Sequence, residues 1–110
     1  MPTPDDFFAI DMRVGTVVHA EEFAEARKPS IKLLIDFGSE IGQKRSSAQL
    51  TVHYTPAQLV GRQVVAAVNI GTRRIAGYTS EVLVLGATPT STEVVLLAVE
   101  QPVANGTRIG

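Results

Sequence analysis

Hydrophobic and polar residues alternate along most of this chain with the two-residue period that is typical of β-strands. Six segments show the pattern, and polar or turn-forming residues separate them. Gly15 interrupts the first segment, which indicates a bend or a β-bulge there. The predicted strands cover residues 11–23, 31–37, 41–52, 62–70, 81–87 and 93–100.

Two short segments carry helix signals instead. Thr3-Pro4 supplies an N-cap and a proline in the first turn, so a helix is expected within residues 1–10. A second helix is expected to begin at Thr55-Pro56, because Gln58 completes a capping box there. Both helices should be short, since turn-forming or strand-like residues follow them closely.

The order of these elements predicts an all-β fold of the OB type, a five-stranded Greek-key barrel with a short helix between strands three and four. Residues 1–110 have the length of one such domain, with the N-terminal helix and a C-terminal extension over residues 93–110 added to it. The extension contains Val94-Val95-Leu96-Leu97, and an apolar edge strand of this kind needs to be covered. Either a second copy of the chain or the chain's own barrel could cover it.

The composition argues against catalysis and against bound cofactors or metals. The chain has no cysteine and only two histidines, His19 and His53, on separate predicted strands. Neither a disulfide framework nor a zinc site is therefore expected. No serine lies in a nucleophile elbow, and no loop has the spacing of a Walker motif. A protein without enzymatic activity and without cofactors is the expectation.

The hydropathy pattern contains no candidate membrane segment. No apolar run is long enough to span a bilayer, and the first residues are acidic where a signal peptide would be basic. We therefore expect a cytoplasmic protein that does not insert into membranes.

Basic residues occur in adjacent pairs, although the net charge is only −1. The pairs are Arg27-Lys28, Lys44-Arg45 and Arg73-Arg74. On an OB-fold they fall in the first binding loop, on the third strand and in the second binding loop, so all three could line one groove. Such a groove would neutralise phosphates. Tyr78 is the only aromatic residue near the second loop, so base stacking has less support.

The first predicted strand resembles the opening motif of the tRNA-binding-domain family in Asp11-Met12-Arg13-Val14-Gly15-Thr16-Val17. Later blocks of that family are similar to Leu59-Val60-Gly61-Arg62-Gln63-Val64 and to the segment from Asn69 to Ser80, so the resemblance covers nearly the whole chain. It implies an OB-fold module that binds tRNA. Together with the basic pairs, it predicts RNA contacts from Arg27, Lys28, Lys44, Arg45, Ser46, Ser47, Asn69, Arg73, Arg74 and Ser80.

Within this family the chain looks most like the CsaA-type secretion chaperones. Ser46-Ser47-Ala48-Gln49 and the ending over residues 101–110 carry this similarity. It implies a homodimer that binds unfolded secretory precursor proteins and tRNA, and it leaves open a partner from the secretion machinery. Phe37, Ile75 and Tyr78 are then expected to line a polypeptide site. The alternative is a tRNA-binding accessory protein without a chaperone role.

Overall fold

The computed structural model describes residues 1–110 and contains nine strands and two short helices. In chain order they are α1 (Pro4–Ala9), β1 (Met12–Glu22), β2 (Ile31–Asp36), β3 (Gln43–Ala48), α2 (Pro56–Leu59), β4 (Gln63–Ala67), β5 (Arg73–Ile75), β6 (Tyr78–Ser80), β7 (Leu83–Val84), β8 (Gly86–Thr90) and β9 (Glu93–Leu96).

Five of the strands form one antiparallel sheet in the order β3-β2-β1-β4-β7. The two edges of this sheet approach each other and almost close it into a barrel. Where they meet, the Glu81 amide donates a hydrogen bond of 2.8 Å to the Arg45 carbonyl. The Ser46 hydroxyl donates one of 2.9 Å to the Val82 carbonyl. The predicted OB-fold, with a short helix between the third and fourth barrel strands, is therefore confirmed.

The core lies inside this barrel and follows the alternation of the strands. In β2, Ile31, Leu33 and Ile35 are buried, while the residues between them are partly exposed. Leu59 of α2 is also fully buried and packs into the same cluster. Apolar side chains on one face of each strand thus remove enough surface from water to hold a barrel of this size together.

Gly15 has a packing role rather than the bend or bulge that was expected there. Its pairing with Val64 is regular, and the β-bulge of β1 lies between Val17 and His19. A β-carbon at Gly15 would come within 2.6 Å of the Ile35 Cγ2 atom and 2.7 Å of the Phe37 Cδ1 atom. The glycine therefore allows the curved strand to pass closely over the core.

Several predicted strands end earlier than expected because the backbone changes partner. The expected strand over residues 41–52 is reduced to β3, after which turns lead towards α2. The expected strand over residues 81–87 is divided at Leu85. The Leu85 amide donates to Val65 in the barrel, while its carbonyl accepts from Leu97 in the β8–β9 hairpin. One apolar run therefore serves two sheets.

Both ends of the chain are fastened to the start of β1. The capping box of α1 is present, with the Thr3 amide donating to Asp6 at 2.8 Å. The Asn69 side chain accepts from the Asp11 amide and donates to the Ala9 carbonyl, which fixes the position of this helix.

No helix of the structure has the length and apolar character needed to cross a membrane.

The last residues of the C-terminal extension fold back on the barrel of the same chain. Residues 106–109 exchange backbone hydrogen bonds with Met12 and Val14 of the same chain. Arg13 strengthens this contact, because it is paired with Asp11 at 2.6 Å and donates to the Gly106 carbonyl at 3.0 Å. The Asp-x-Arg sequence of the opening motif thus anchors the C-terminal segment.

Candidate functional site

An open groove of about 840 Å³ lies at one end of the barrel, and we call it the basic groove. Three parts of the chain line it: the loop between β1 and β2, the end of β3, and the β5–β6 hairpin. The lining residues are Ala26, Arg27, Lys28, Ser30, Ser47, Ala48, Gln49, Arg73, Ile75 and Ala76.

The hairpin that forms one wall was expected to be a loop. Arg73, Arg74 and Ile75 pair with residues 78–80 across a turn of two residues. Ala76 and Gly77 both have positive φ angles, 45° and 81°, as a tight hairpin turn of this type requires. The hairpin gives the wall a defined shape, because its strands hold Arg73 and Ile75 on one side.

Three cations face the basic groove without a partner. Arg27, Lys28 and Arg73 line it, and none of them takes part in an ion pair. No lining residue is acidic. The groove therefore carries an uncompensated positive charge that favours anionic ligands.

The other three cations of the basic pairs are placed elsewhere, so the expected lining by all six is corrected to three. Neighbouring residues in a strand point to opposite faces. Lys44 lies opposite the buried Ile35, whereas Arg45 is on the other face. Arg74 likewise faces away from Arg73, and it donates a hydrogen bond to Thr79 at 3.2 Å. Arg27 and Lys28 lie instead in the loop between β1 and β2, and both line the groove.

Arg45 has a structural partner in Glu81. The Glu81 carboxylate accepts hydrogen bonds from the Arg45 amide at 3.0 Å and from its guanidinium at 3.2 Å. The hydrogen bond from the amide has the largest effect and lowers the pKa of Glu81, and the bond from the guanidinium lowers it further. Partial burial raises this pKa but does not cancel the decrease. The ion pair lies at the closure of the barrel, beside the base of the hairpin.

We expect acid to loosen this closure. Because the folded state holds the pKa of Glu81 below its ordinary value, the pairing of ionised Glu81 with Arg45 stabilises the fold fully at any pH above that ordinary pKa. It is lost as the pH falls through the lowered pKa. Hydrogen exchange of the Arg45 and Glu81 amides should therefore accelerate in acid relative to the β1–β2 ladder. In Glu81→Gln this pH dependence should be absent; an equal pH dependence in both proteins would contradict the expectation.

Four residues of the predicted sites have structural roles. Ser46 and Ser80 are buried, and both hydroxyls donate to the Val82 carbonyl. Phe37 is 1% exposed and belongs to the core, so its side chain does not line a polypeptide site. Asn69 is exposed, but its side-chain amide is engaged in holding α1. The expected ligand contacts of the Ser46, Ser80 and Phe37 side chains are corrected accordingly.

Tyr78 and Lys32 form a cluster beside the basic groove that sequence reasoning found only in part. The Lys32 ammonium lies 4.7 Å from the centre of the Phe23 ring and 5.0 Å from that of Tyr78. The Tyr78 hydroxyl is 3.3 Å from the carbonyls of Leu33 and Ser46, and burial raises the pKa of this hydroxyl. We call Lys32, Phe23 and Tyr78 the Lys32 clamp. The alternation of β2 places Lys32 on the outer face, but its aromatic neighbours are not visible from the sequence.

The fold and the groove agree with the comparison to known families. Residues 12–108 match the family described as "Putative tRNA binding domain", and the chain belongs to this family. The predicted resemblance to the tRNA-binding-domain family and to the CsaA-type chaperones is confirmed.

Two solved structures are similar over the full length of the chain. The chaperone CsaA from Bacillus anthracis has a TM-score of 0.95 and 54% sequence identity, covering 100% of this chain and 99% of that one. The CsaA chaperone protein from Picrophilus torridus has a TM-score of 0.91 and 43% identity, with 100% of each chain covered.

Curated relatives of the chain are much longer than it is. Methionine–tRNA ligase from Archaeoglobus fulgidus is 35% identical over 105 residues, which is 96% of this chain. The chain spans only 15% of the length of that ligase. Its similarity is therefore to one module of such an enzyme.

Proposed function

We propose that the chain is a non-catalytic binding protein of the cytoplasm, a CsaA-like secretion chaperone that binds unfolded precursor polypeptides and tRNA through the basic groove. The observation that carries the proposal is the convergence of Arg27, Lys28 and Arg73 on one groove without acidic partners. Membership of the tRNA-binding-domain family and the likeness to CsaA chaperones support it. No cofactor is part of the proposal.

For tRNA, the proposed binding depends mainly on phosphate contacts. Three unpaired cations favour a polyanion, because their contacts with phosphates release the counterions condensed on the RNA. Tyr78 offers little to an RNA base, because its hydroxyl lies over backbone carbonyls and its ring packs edge-on at 5.4 Å against Phe23. Binding should therefore depend strongly on salt and weakly on base sequence.

For polypeptides, the groove combines charge with apolar surface. Ile75 and three alanines line it together with the cations, so both parts of an amphipathic segment would find contacts there. The likeness to CsaA chaperones favours unfolded secretory precursors as the polypeptide, with the secretion machinery as a further partner. A tRNA-binding accessory protein without a chaperone role is the second candidate, favoured by the family match.

A competition experiment separates the two candidates. A fluorescent tRNA and a chemically unfolded precursor protein are each titrated with the chain at several salt concentrations, and then offered together. Affinity for tRNA should fall steeply with salt, whereas binding driven by apolar contacts should not. Competition between the two ligands would support one shared groove. Failure of the unfolded precursor to bind at any salt concentration would leave the accessory protein as the function.

We also propose a homodimer, formed through one apolar face of β7, β8 and β9. Leu85 lies opposite Leu97 and Ala87 opposite Val95, so these side chains and that of Leu83 share a face. Leu83, Val95 and Leu97 are 52%, 39% and 46% exposed. Apolar side chains clustered on an exposed hairpin favour association with a second copy.

Leu97→Glu is expected to convert the dimer to a monomer, because a carboxylate on this face would lose its hydration in the interface. Light scattering coupled to gel filtration measures the change. Phe7→Glu is the matched control, since Phe7 has the same 46% exposure but lies on α1 and not on β7, β8 or β9. A Leu97→Glu variant that remains dimeric at micromolar concentration would contradict this interface.

A further inference from the structure

We infer that the basic groove binds acidic, extended polypeptide segments by adding them as a strand beside Ser47 of β3, next to Gln49 in the turn that follows this strand. This inference rests on the polypeptide binding proposed above and names its ligand class and its mode of contact. Strand addition uses the hydrogen-bonding groups of the backbone for affinity, and side chains for selection.

The pairing of β3 determines which backbone groups face the groove. In an antiparallel pair, residues alternate between directing both backbone groups to the partner strand and directing them away. The amide and the carbonyl of Arg45 both bind Glu81, so they point away from β2. Ser47 lies two residues further along the same strand and is paired with Lys32. Its amide and carbonyl must therefore also point away from β2.

The outward-facing groups of Ser47 are bonded to no loop of the structure. The Ser47 hydroxyl makes no hydrogen bond, and the backbone amide and carbonyl, which point away from β2, bond to no residue outside the helices and strands. The Gln49 backbone and side-chain amide are likewise without a partner, although Ser47 and Gln49 are only partly exposed. Both residues line the basic groove. Unpaired donors and acceptors at a sheet edge are a template for another extended chain.

The charges and side chains around this edge select the segment. Arg27, Lys28 and Arg73 favour aspartate and glutamate, and they repel segments rich in lysine or arginine. Ile75 offers an apolar contact beside them. A segment in which acidic and apolar residues alternate presents the acids on one face and the apolar residues on the other. The basic region of a signal peptide does not fit this groove.

Strand addition also distinguishes a polypeptide from the phosphate groups of RNA at this edge. Phosphate oxygens accept hydrogen bonds but donate none, so they leave the Ser47 carbonyl unpaired. A peptide backbone offers alternating donors and acceptors at the spacing of a strand and pairs with both.

The first test uses the unmodified full chain and a labelled peptide of alternating glutamate and valine, measured by fluorescence anisotropy. Two matched peptides replace every glutamate by lysine, or carry N-methyl groups on the backbone while keeping all side chains. We expect each change to weaken binding at least tenfold. Equal binding of the N-methylated peptide would overturn strand addition, and equal binding of the lysine peptide would overturn the selection for acids.

The second test changes the protein. Ser47→Pro removes the amide donor that faces the groove without removing a ladder hydrogen bond, because proline is tolerated at such an edge position. Gln43→Pro is the matched control, since Gln43 has the same orientation on β3 but does not line the groove. Ser47→Pro should lose peptide binding at least tenfold, while Gln43→Pro retains it. Retained binding in Ser47→Pro would overturn the inference.

Failure of this inference is distinguishable from failure of the proposed function. If an unfolded precursor binds the chain but the acidic peptide does not, chaperone-type binding stands and the inference is wrong. If neither binds and tRNA does, polypeptide binding itself is wrong. If N-methylation has no effect and tRNA displaces the peptide, the groove acts by charge alone and strand addition is excluded.

Discussion

Replacing Arg73 by glutamate is expected to weaken tRNA binding about tenfold or more at low salt, because it removes a phosphate contact and adds repulsion. Arg73 is the one cation of the β5–β6 hairpin that lines the basic groove, and no side chain neutralises it. The slope of log affinity against log salt concentration should also become shallower by about 1 for each groove engaged. Filter binding or anisotropy at several salt concentrations measures both quantities.

Arg62→Glu provides the matched control for this experiment. It changes the net charge of the chain by the same amount, but Arg62 lies over the Tyr54 ring at 5.2 Å and does not line the groove. Its effect on tRNA affinity should be several times smaller. Equal losses in the two variants would mean that total charge, and not the groove, governs RNA binding.

Gly15→Ala is expected to lower the free energy of unfolding by about 1–3 kcal/mol, the usual range for overpacking a core. The added methyl group would overlap both Ile35 and Phe37, which are fully buried and held by their own neighbours. Urea denaturation followed by circular dichroism measures the change. The denaturant slope should remain the same, because the folded barrel is retained.

Phe37→Leu tests the cause of that loss in a double-mutant cycle. The smaller side chain leaves space where the methyl group of Gly15→Ala would lie. The double variant should therefore be more stable than the sum of the two single losses predicts. Strict additivity would show that overlap with Phe37 is not the reason for the glycine.

The barrel was predictable from the sequence because its strands have long, regular alternation. In β2, every second side chain is buried, and the pattern shows this directly. The β5–β6 hairpin was missed, since strands of three residues are too short to display a period. The division at Leu85 was missed for another reason: an apolar run does not reveal that its backbone changes partner.

The candidate site was predictable to the extent that it depends on loops and charge. Arg27 and Lys28 line the groove, and the order of elements identifies the loop that carries them; their contact with RNA stays a prediction. The structural roles of Ser46 and Ser80 are not visible from the sequence, because only the structure shows the Val82 carbonyl that accepts from both hydroxyls. The edge at Ser47 could not be predicted, since it depends on where the segment beside β3 ends, and the sequence does not show this.

The Lys32 clamp gives the basic groove a property that neither wall has alone. Phe23 leads into the loop that carries Arg27 and Lys28, whereas Tyr78 belongs to the opposite hairpin. One ammonium group lies within 5.0 Å of both ring centres. Each wall therefore makes its own cation–π contact with the same ammonium group. Lys32 thus connects the two walls of the basic groove through a single side chain of β2.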